Sequence, residues 1–294
     1  MSRRELTTIL FPAVLAFVAA VVCSVAFAAP QDDGPEPYEF ERHKNIAYYT
    51  GEDASRSKHH LDVYQPKGVK NAPVLIFVHG GAWRVGGKMF HTNVGKTFAS
   101  HGIVTVSINY RLSPKVKHPA HIRDVARAFD WVRKNIQDYG GDPRNVFVSG
   151  HSAGGHLVAL LALNEKYLAE VGHLTDEIAG VIGISGVYRV GATGIFSGVF
   201  EPDAEALRDA SPVVHVDDKQ PPFLVIYAEK DMTGLDALAI GLATALRQHK
   251  SPVRLLKVPD RSHSSIIWRI GDKDDPTTEA MLEFIRRHLR RAKE

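Results

Sequence analysis

One stretch constrains this chain more than any other: Val146-Phe-Val-Ser-Gly-His-Ser-Ala-Gly-Gly-His-Leu-Val-Ala-Leu-Leu. It reads as a buried strand, a very tight turn and a helix. The strand is the apolar run Val146, Phe147, Val148. The turn is Gly150-His151-Ser152-Ala153-Gly154, and the helix behind it carries Leu157, Val158, Leu160 and Leu161. Those residues are apolar on more than one side, which predicts a helix packed under a sheet. Glycines two before and two after Ser152 remove the Cβ atoms that would keep strand and helix apart. The serine is then lifted clear of the sheet, and the Ala153 N–H points at whatever oxygen lies beside it. The same five residues also occur as an ordinary glycine-rich turn, so the rest of the chain has to decide.

The chain has 294 residues, 44% of them hydrophobic, enough to bury a large core as one α/β domain. A net charge of +3 with interspersed signs gives no sign of a nucleic-acid surface, and none is expected. Arg286, Arg287, Arg290 and Arg291, at helical spacing with Glu283, read as a solvated helix face. At the N-terminus, Arg3 and Arg4 precede an apolar run from Ile9 to Ala29 that ends in small residues, as a secretory signal does. The run approaches the length of a membrane span, so an uncleaved anchor stays open beside a cleaved signal. Residues 1–29 are therefore set apart, 30–43 read as a linker and 44–294 as the folded domain, placed outside the cell or in a periplasm. The only cysteine, Cys23, sits in the apolar run, leaving the domain no disulfide and no thiol nucleophile.

Along the domain, Ile46–Thr50 and His60–Tyr64 predict an antiparallel hairpin. Pro73–Val78 is a continuous apolar strand, as in a parallel sheet covered on both faces, and His79-Gly80-Gly81-Ala82-Trp83 follows at once. Ile103–Ile108 is the next strand, then an amphipathic helix on Ile122, Val125, Ala126, Phe129, Val132 and Ile136, stopped by Gly140-Gly141-Asp142-Pro143. Further strands are expected at Ile178–Ile184, Phe223–Tyr227 and Val253–Val258, with helices over Leu235–His249 and Thr277–Leu289. Alternation of this kind implies a mostly parallel sheet with helices on both faces. Residues 187–220 show no strong pattern beyond a short helix at Glu205–Asp209 and read as a small cap.

In open α/β sheets the site lies at the carboxyl ends of the strands. Ser152 stands at one such end, Asp231 follows Phe223–Tyr227, and His263 follows the last strand. A serine hydroxyl attacks only when a base takes its proton, the work of His263, while Asp231 would hold the imidazole in place. Backbone N–H groups of Gly81, Ala82 and Ala153 are the candidate oxyanion donors. Asp236, five positions after Asp231, is the rival acid, but falls within the following helix. His79, His151 and His156 read as hydrogen-bonding supports, and Trp83 either lines a substrate pocket or packs in the core. His59 and His60 lack partners at metal-ligand spacing, so no metal is expected; nor is any cofactor, because phosphate-loop and dinucleotide motifs are absent.

The order Ser, Asp, His, with His-Gly-Gly-Ala-Trp, Asn-Tyr-Arg-Leu-Ser-Pro, Tyr-Gly-Gly-Asp-Pro and Gly-His-Ser-Ala-Gly-Gly-His, resembles the α/β-hydrolase superfamily. More closely, it resembles carboxylesterases of the hormone-sensitive-lipase and bacterial feruloyl-esterase-like type, from about Lys44 to the C-terminus. The resemblance implies a serine esterase acting on a small-molecule ester of a short acyl chain through an acyl-enzyme. Two features depart from it: His151 stands where Asp is usual, and Ala82 where a third glycine is. With Asp209-Ala210-Ser211-Pro212, they are similar to kynurenine formamidases and prenylcysteine methylesterases. Arylformamide hydrolysis and feruloyl or acetyl-xylan ester hydrolysis are thus alternatives, as is a non-catalytic binding module on the same fold. Membrane contact is expected only through an uncleaved N-terminus, and the oligomeric state stays open.

Overall fold

The structure is a computed structural model that describes residues 36–290. The signal-like run, Cys23 and Arg291 lie outside the described residues. Strands β1 (Phe40–Ala47), β2 (His60–Pro66) and β3 (Ala72–Val78) come first, then α1 (Thr92–Ser100), β4 (Val104–Ile108) and α2 (Ala120–Asn135). Next are β5 (Gly141–His151), α3 (Ala153–Leu163), α4 (Lys166–Ala169), β6 (Ile178–Ile184) and α5 (Ala204–Asp209). The chain ends with β7 (Phe223–Lys230), α6 (Leu235–Gln248), β8 (Val253–Ser262), α7 (Ser265–Trp268) and α8 (Pro276–Arg287).

The strands form one sheet in the order β1-β2-β4-β3-β5-β6-β7-β8. β2 pairs antiparallel with β1 and with β4, and all other neighbours are parallel. Alternating side chains of the central strands feed two cores. Val74, Ile76 and Val78 of β3 join Val146 and Val148 of β5 on the face covered by α2, α3 and α6. Leu75, Phe77 and Phe147 face the other way, against Val94 and Phe98 of α1 and Met281, Phe284 and Ile285 of α8. The periodic residues of α2, Ile122, Val125, Phe129 and Val132, are all buried, each contributing about 1.5–3 kcal/mol. A 3-10 turn at Ile136–Tyr139 prolongs α2, and Gly140 ends it at φ 78°.

Some boundaries differ from the sequence expectation. β1 begins at Phe40, inside the stretch read as linker, and stops at Ala47 rather than running to Thr50. It is a half-exposed edge strand with a bulge between His43 and Ile46, where Asn45 takes φ 56°, so it lacks the apolar signature of the central strands. α1 was not expected, because Gly95 and its polar neighbours dilute the two apolar contacts, Val94 and Phe98. β7 and β8 extend past their apolar runs to Lys230 and Ser262. Between β6 and β7 lies an excursion with only α5 and two 3-10 turns, Gly194–Phe196 and Pro212–His215. Among the described residues no helix is long and apolar enough to cross a membrane.

The tightest packing in the domain is at α3. A Cβ placed on Gly154 would stand 2.0 Å from the Val78 carbonyl oxygen, and one on Gly150 would stand 2.3 Å from Gly154 backbone atoms. Backbone cannot yield as a side-chain tip can. Gly154→Ala is therefore expected to cost about 3 kcal/mol or to prevent folding. Gly172, at φ 83° with nothing within 4 Å of its Cβ position, is the control. Gly172→Ala should cost only the backbone strain, about 1–2 kcal/mol. Urea unfolding of both variants would test this, and equal losses would contradict it.

Candidate active site

Ser152 stands between β5 and α3 at φ 55°, ψ −118°, a conformation non-glycine residues rarely adopt. Its own N–H is bound to the Ile184 carbonyl at the end of β6, 2.9 Å away, which fixes the turn against the neighbouring strand. The hydroxyl is partly exposed and makes no hydrogen bond among the described residues. A Cβ on Gly80 would lie 3.1 Å from the Ser152 Cβ, so the loop after β3 rests directly on the serine.

That loop is built for N–H presentation. Gly81, Ala82 and Trp83 take φ 113°, 50° and 58° in succession. For the two non-glycine residues this costs about 1–2 kcal/mol each. Bonds from the Arg84 and Val85 N–H groups to the Gly81 carbonyl, and from the Ser113 N–H to the Trp83 carbonyl, hold it there. The N–H groups of Gly81, Ala82 and Ala153 have no backbone acceptor among the described residues. Ala153 opens α3, where the first N–H groups are free and the dipole favours negative charge.

The structure brings Asp231 and His263 together: the His263 Nδ1–H donates to Asp231 Oδ1 at 2.7 Å. That tautomer leaves Nε2 as an acceptor. The Asp231 carboxylate also receives the Ser185 hydroxyl at 2.5 Å and the Ala228 and Met232 N–H groups at 3.1 and 2.8 Å. Burial pushes this carboxyl up, but the bonds from His263, Ser185 and the two amides outweigh it and hold it below the usual carboxylate range. Asp236 is exposed in the first turn of α6. Glu229 turns outward to Lys257, 2.9 Å away.

Ser185 is the contributor that sequence reading missed. It is fully buried at the end of β6 with φ 48°, and only its place at a strand end could have pointed to it. The supporting histidines are each accounted for by a bond. His151 donates from Nε2 to the His263 carbonyl at 2.8 Å, the two rings 4.7 Å apart. His79 donates to the Gly80 carbonyl at 2.7 Å and stacks on Tyr110. His156 donates to the Ala210 carbonyl at 2.8 Å. Burial holds all three down to about 3, so they are neutral supports.

Trp83 is 1% exposed. Its indole N–H donates to His156 Nδ1 at 3.2 Å, and its ring meets Phe200 edge-on at 5.1 Å. Of its two readings, the structure gives the packing one: it joins the loop to α3 and to the excursion. His59 lies 2.9 Å from Asp124 in a buried pair. Among the described residues no group of three or more His, Cys, Asp or Glu is placed to hold a metal ion.

The family model described as BD-FAE matches residues 61–236, more than half of the chain. The chain belongs to this family. It is 35% identical over 247 residues to the esterase LipC of Mycobacterium tuberculosis, covering 76% of this chain and 61% of LipC. It is 35% identical over 213 residues to the esterase LipQ of the same organism, covering 66% of this chain and 51% of LipQ. The chain thus spans about half to three fifths of the length of these relatives. Esterase B from Lactobacillus rhamnosis, solved with a tributyrin phosphonate inhibitor, superposes with a TM-score of 0.75 at 20% identity, over 87% of this chain and 88% of that one. The α/β-hydrolase fold is therefore shared, with its eight-stranded, mostly parallel sheet.

The bonding around Asp231 ranks three substitutions. Asp231→Asn should lower kcat on an ester about a thousandfold or more, since the His263 tautomer loses its acceptor. Ser185→Ala should cost about tenfold, because one of the carboxylate's four donors goes. Asp236→Asn should stay within about twofold, as exposed substitutions do. Steady-state kinetics on the three variants would check the order, and an Asp236 effect above the Asp231 effect would reassign the acid.

Proposed function

We propose that this chain is a serine carboxylesterase that cleaves esters of short acyl chains through an acyl-enzyme. The observation that carries the reading is the 2.7 Å bond between His263 and Asp231, set at strand ends beside a serine on a strained turn. The esterases LipC and LipQ, similar to this chain, support it.

In this mechanism His263 Nε2 takes the Ser152 proton as the oxygen attacks the ester carbonyl carbon. The carbonyl π pair moves onto oxygen, and the N–H groups of Gly81, Ala82 and Ala153 receive the developing charge. Each such donor is worth about 3 kcal/mol of transition-state stabilisation. When the tetrahedral adduct collapses, the bond to the alkoxy oxygen breaks and His263 returns the proton to the leaving alcohol. Water, activated by the same histidine, then repeats the sequence on the acyl-enzyme and frees Ser152.

Support for a short acyl chain comes from the excursion between β6 and β7. Its apolar residues Val187, Tyr188, Val190, Val199 and Phe200 are all buried in the main core. Of the rest, Phe196, Leu207, Val213 and Val216 pack against that core while partly buried, which leaves Ile195 and Val214 as the larger apolar residues free to line a channel. Arg84 pins the same excursion through the Ile195 and Ser197 carbonyls.

Two outcomes test the proposal. Ser152→Ala should reduce ester turnover to background and abolish labelling by a fluorophosphonate probe, with the thermal transition almost unmoved. Labelling that persists would assign the chemistry to another serine. Across p-nitrophenyl esters, kcat/KM should peak between acetyl and hexanoyl, because each methylene left in water forgoes about 0.8 kcal/mol of binding. A steady rise to palmitate would overturn the short-chain assignment.

A further inference from the structure

The loop that presents Gly81 and Ala82 has positive charge beside it that the proposed chemistry does not use. Lys58, in the connection between β1 and β2, ends 3.5 Å from the Gly86 carbonyl oxygen, at the far end of the loop that presents Gly81 and Ala82. It is partly buried. A lysine withdrawn from water ordinarily gains a carboxylate partner, yet among the described residues no carboxylate makes an ion pair with it. Partial burial, then the neighbouring Lys115, hold its ammonium below the usual lysine range. Lys115 is exposed and likewise makes no ion pair among the described residues. It lies two residues beyond Ser113, whose N–H binds the Trp83 carbonyl at 2.9 Å. Both lysines are thus carried by segments bonded to the same loop.

Acids on these segments do not offset them. Asp53 is held by Arg111 at 2.9 Å and Arg127 at 3.4 Å. Glu52 is exposed and pairs with neither lysine. Arg84 spends its guanidinium on two carbonyls of the excursion and so adds a third uncompensated charge. Close contacts run through the loop from Gly86 to the serine. A Cβ on Gly86 would stand 2.6 Å from the Gly80 carbonyl oxygen, and one on Gly80 would stand 3.1 Å from the Ser152 Cβ. His79, which opens the loop, is held down mainly by burial, with Lys58 adding the smallest share.

We propose that Lys58, backed by Lys115, forms an anion subsite beside the oxyanion loop, and that the ester this site is built for carries a carboxylate or similar single anionic group. The inference rests on the hydrolase reading above and narrows its substrate class. A half-desolvated ammonium with a like-charged neighbour has more to gain from an incoming anion than a fully hydrated one. The same field would steer charged substrates toward the site.

The test uses two matched pairs of esters that differ only in charge. Mono-4-nitrophenyl adipate is set against its methyl ester, and 4-carboxyphenyl butyrate against 4-methoxycarbonylphenyl butyrate. The first pair places the charge on the acyl side and the second on the alcohol side. The readout is the ratio of kcat/KM for charged over neutral ester at low salt. In one of the pairs this ratio should fall about tenfold in Lys58→Met, which keeps the apolar stem, and further in Lys58→Glu. High salt should lower the wild-type ratio in that pair and leave the Lys58→Met ratio nearly constant. A ratio that neither variant moves in either pair overturns the subsite. Failure of the wild type to hydrolyse the neutral esters at all would instead strike the hydrolase reading, and the subsite with it.

Discussion

The close approach of α3 to the end of β3 governs the rest. Gly154 sits where any side chain would overlap the Val78 carbonyl, and Gly155 lies against Gly186. The helix can therefore begin directly behind the sheet edge, leaving no slack between β5 and α3. The single residue between them has to take a positive φ. Strain at Ser152 is thus not an isolated cost; it follows from packing that buries Leu157, Val158, Leu160 and Leu161. Loosening the helix would relax the serine and lose both its projection and the free Ala153 N–H.

A second consequence concerns charge. Neutral imidazoles lie in and around the candidate site: His79, His151 and His156 are each held near 3 by burial, and His91 near 4. A neutral imidazole can donate one hydrogen bond and offer one lone pair without placing a competing charge beside His263. His151 shows the value of this. An aspartate there would have no hydrogen to give to the His263 carbonyl and would add a second carboxylate near the pair. The departure from the hormone-sensitive-lipase pattern at this position is in physical terms a swap of acceptor for donor.

Much of this was legible in the sequence because its causes are local. The central strands are continuous apolar runs, the elbow is spelled by glycine spacing, and residues after strand ends have only one edge on which to stand. Ser152, Asp231 and His263 could be placed on these grounds alone. What escaped depends on partners distant in the chain. Ser185 matters through a carboxylate 46 positions later. Trp83 is committed to the core by His156, 73 positions on, and by rings of the excursion. The hairpin of β1 and β2 was legible but the start of β1 at Phe40 was not, because an edge strand needs only backbone pairing and leaves little apolar trace. Lys58 carries no sequence signal at all, since a lysine in a polar connection looks the same whether or not a carboxylate answers it.

Why the site forms between β3 and β5, rather than at some other pair of strand ends, follows from the strand order. From β3 the chain turns outward through α1 to β4, on the face that holds Val94 and Phe98. It then crosses back through α2 on the opposite face to β5, on the other side of β3. The chain after β5 continues into α3, on the face opposite α1. The two connections that leave β3 and β5 therefore diverge, and a crevice opens at this switch of direction. One wall is the loop that begins at His79, and the other is Ser152 with α3. β6 and β7 follow in order beyond β5, so Ser185 and Asp231 arrive one and two strands away, with His263 beyond β8. Asp231 and His263 can approach the serine only from that side, while the N–H groups of Gly81 and Ala82 can approach only from the other. The division of labour across the serine is thus set by the order in which the strands pair, before any side chain is chosen.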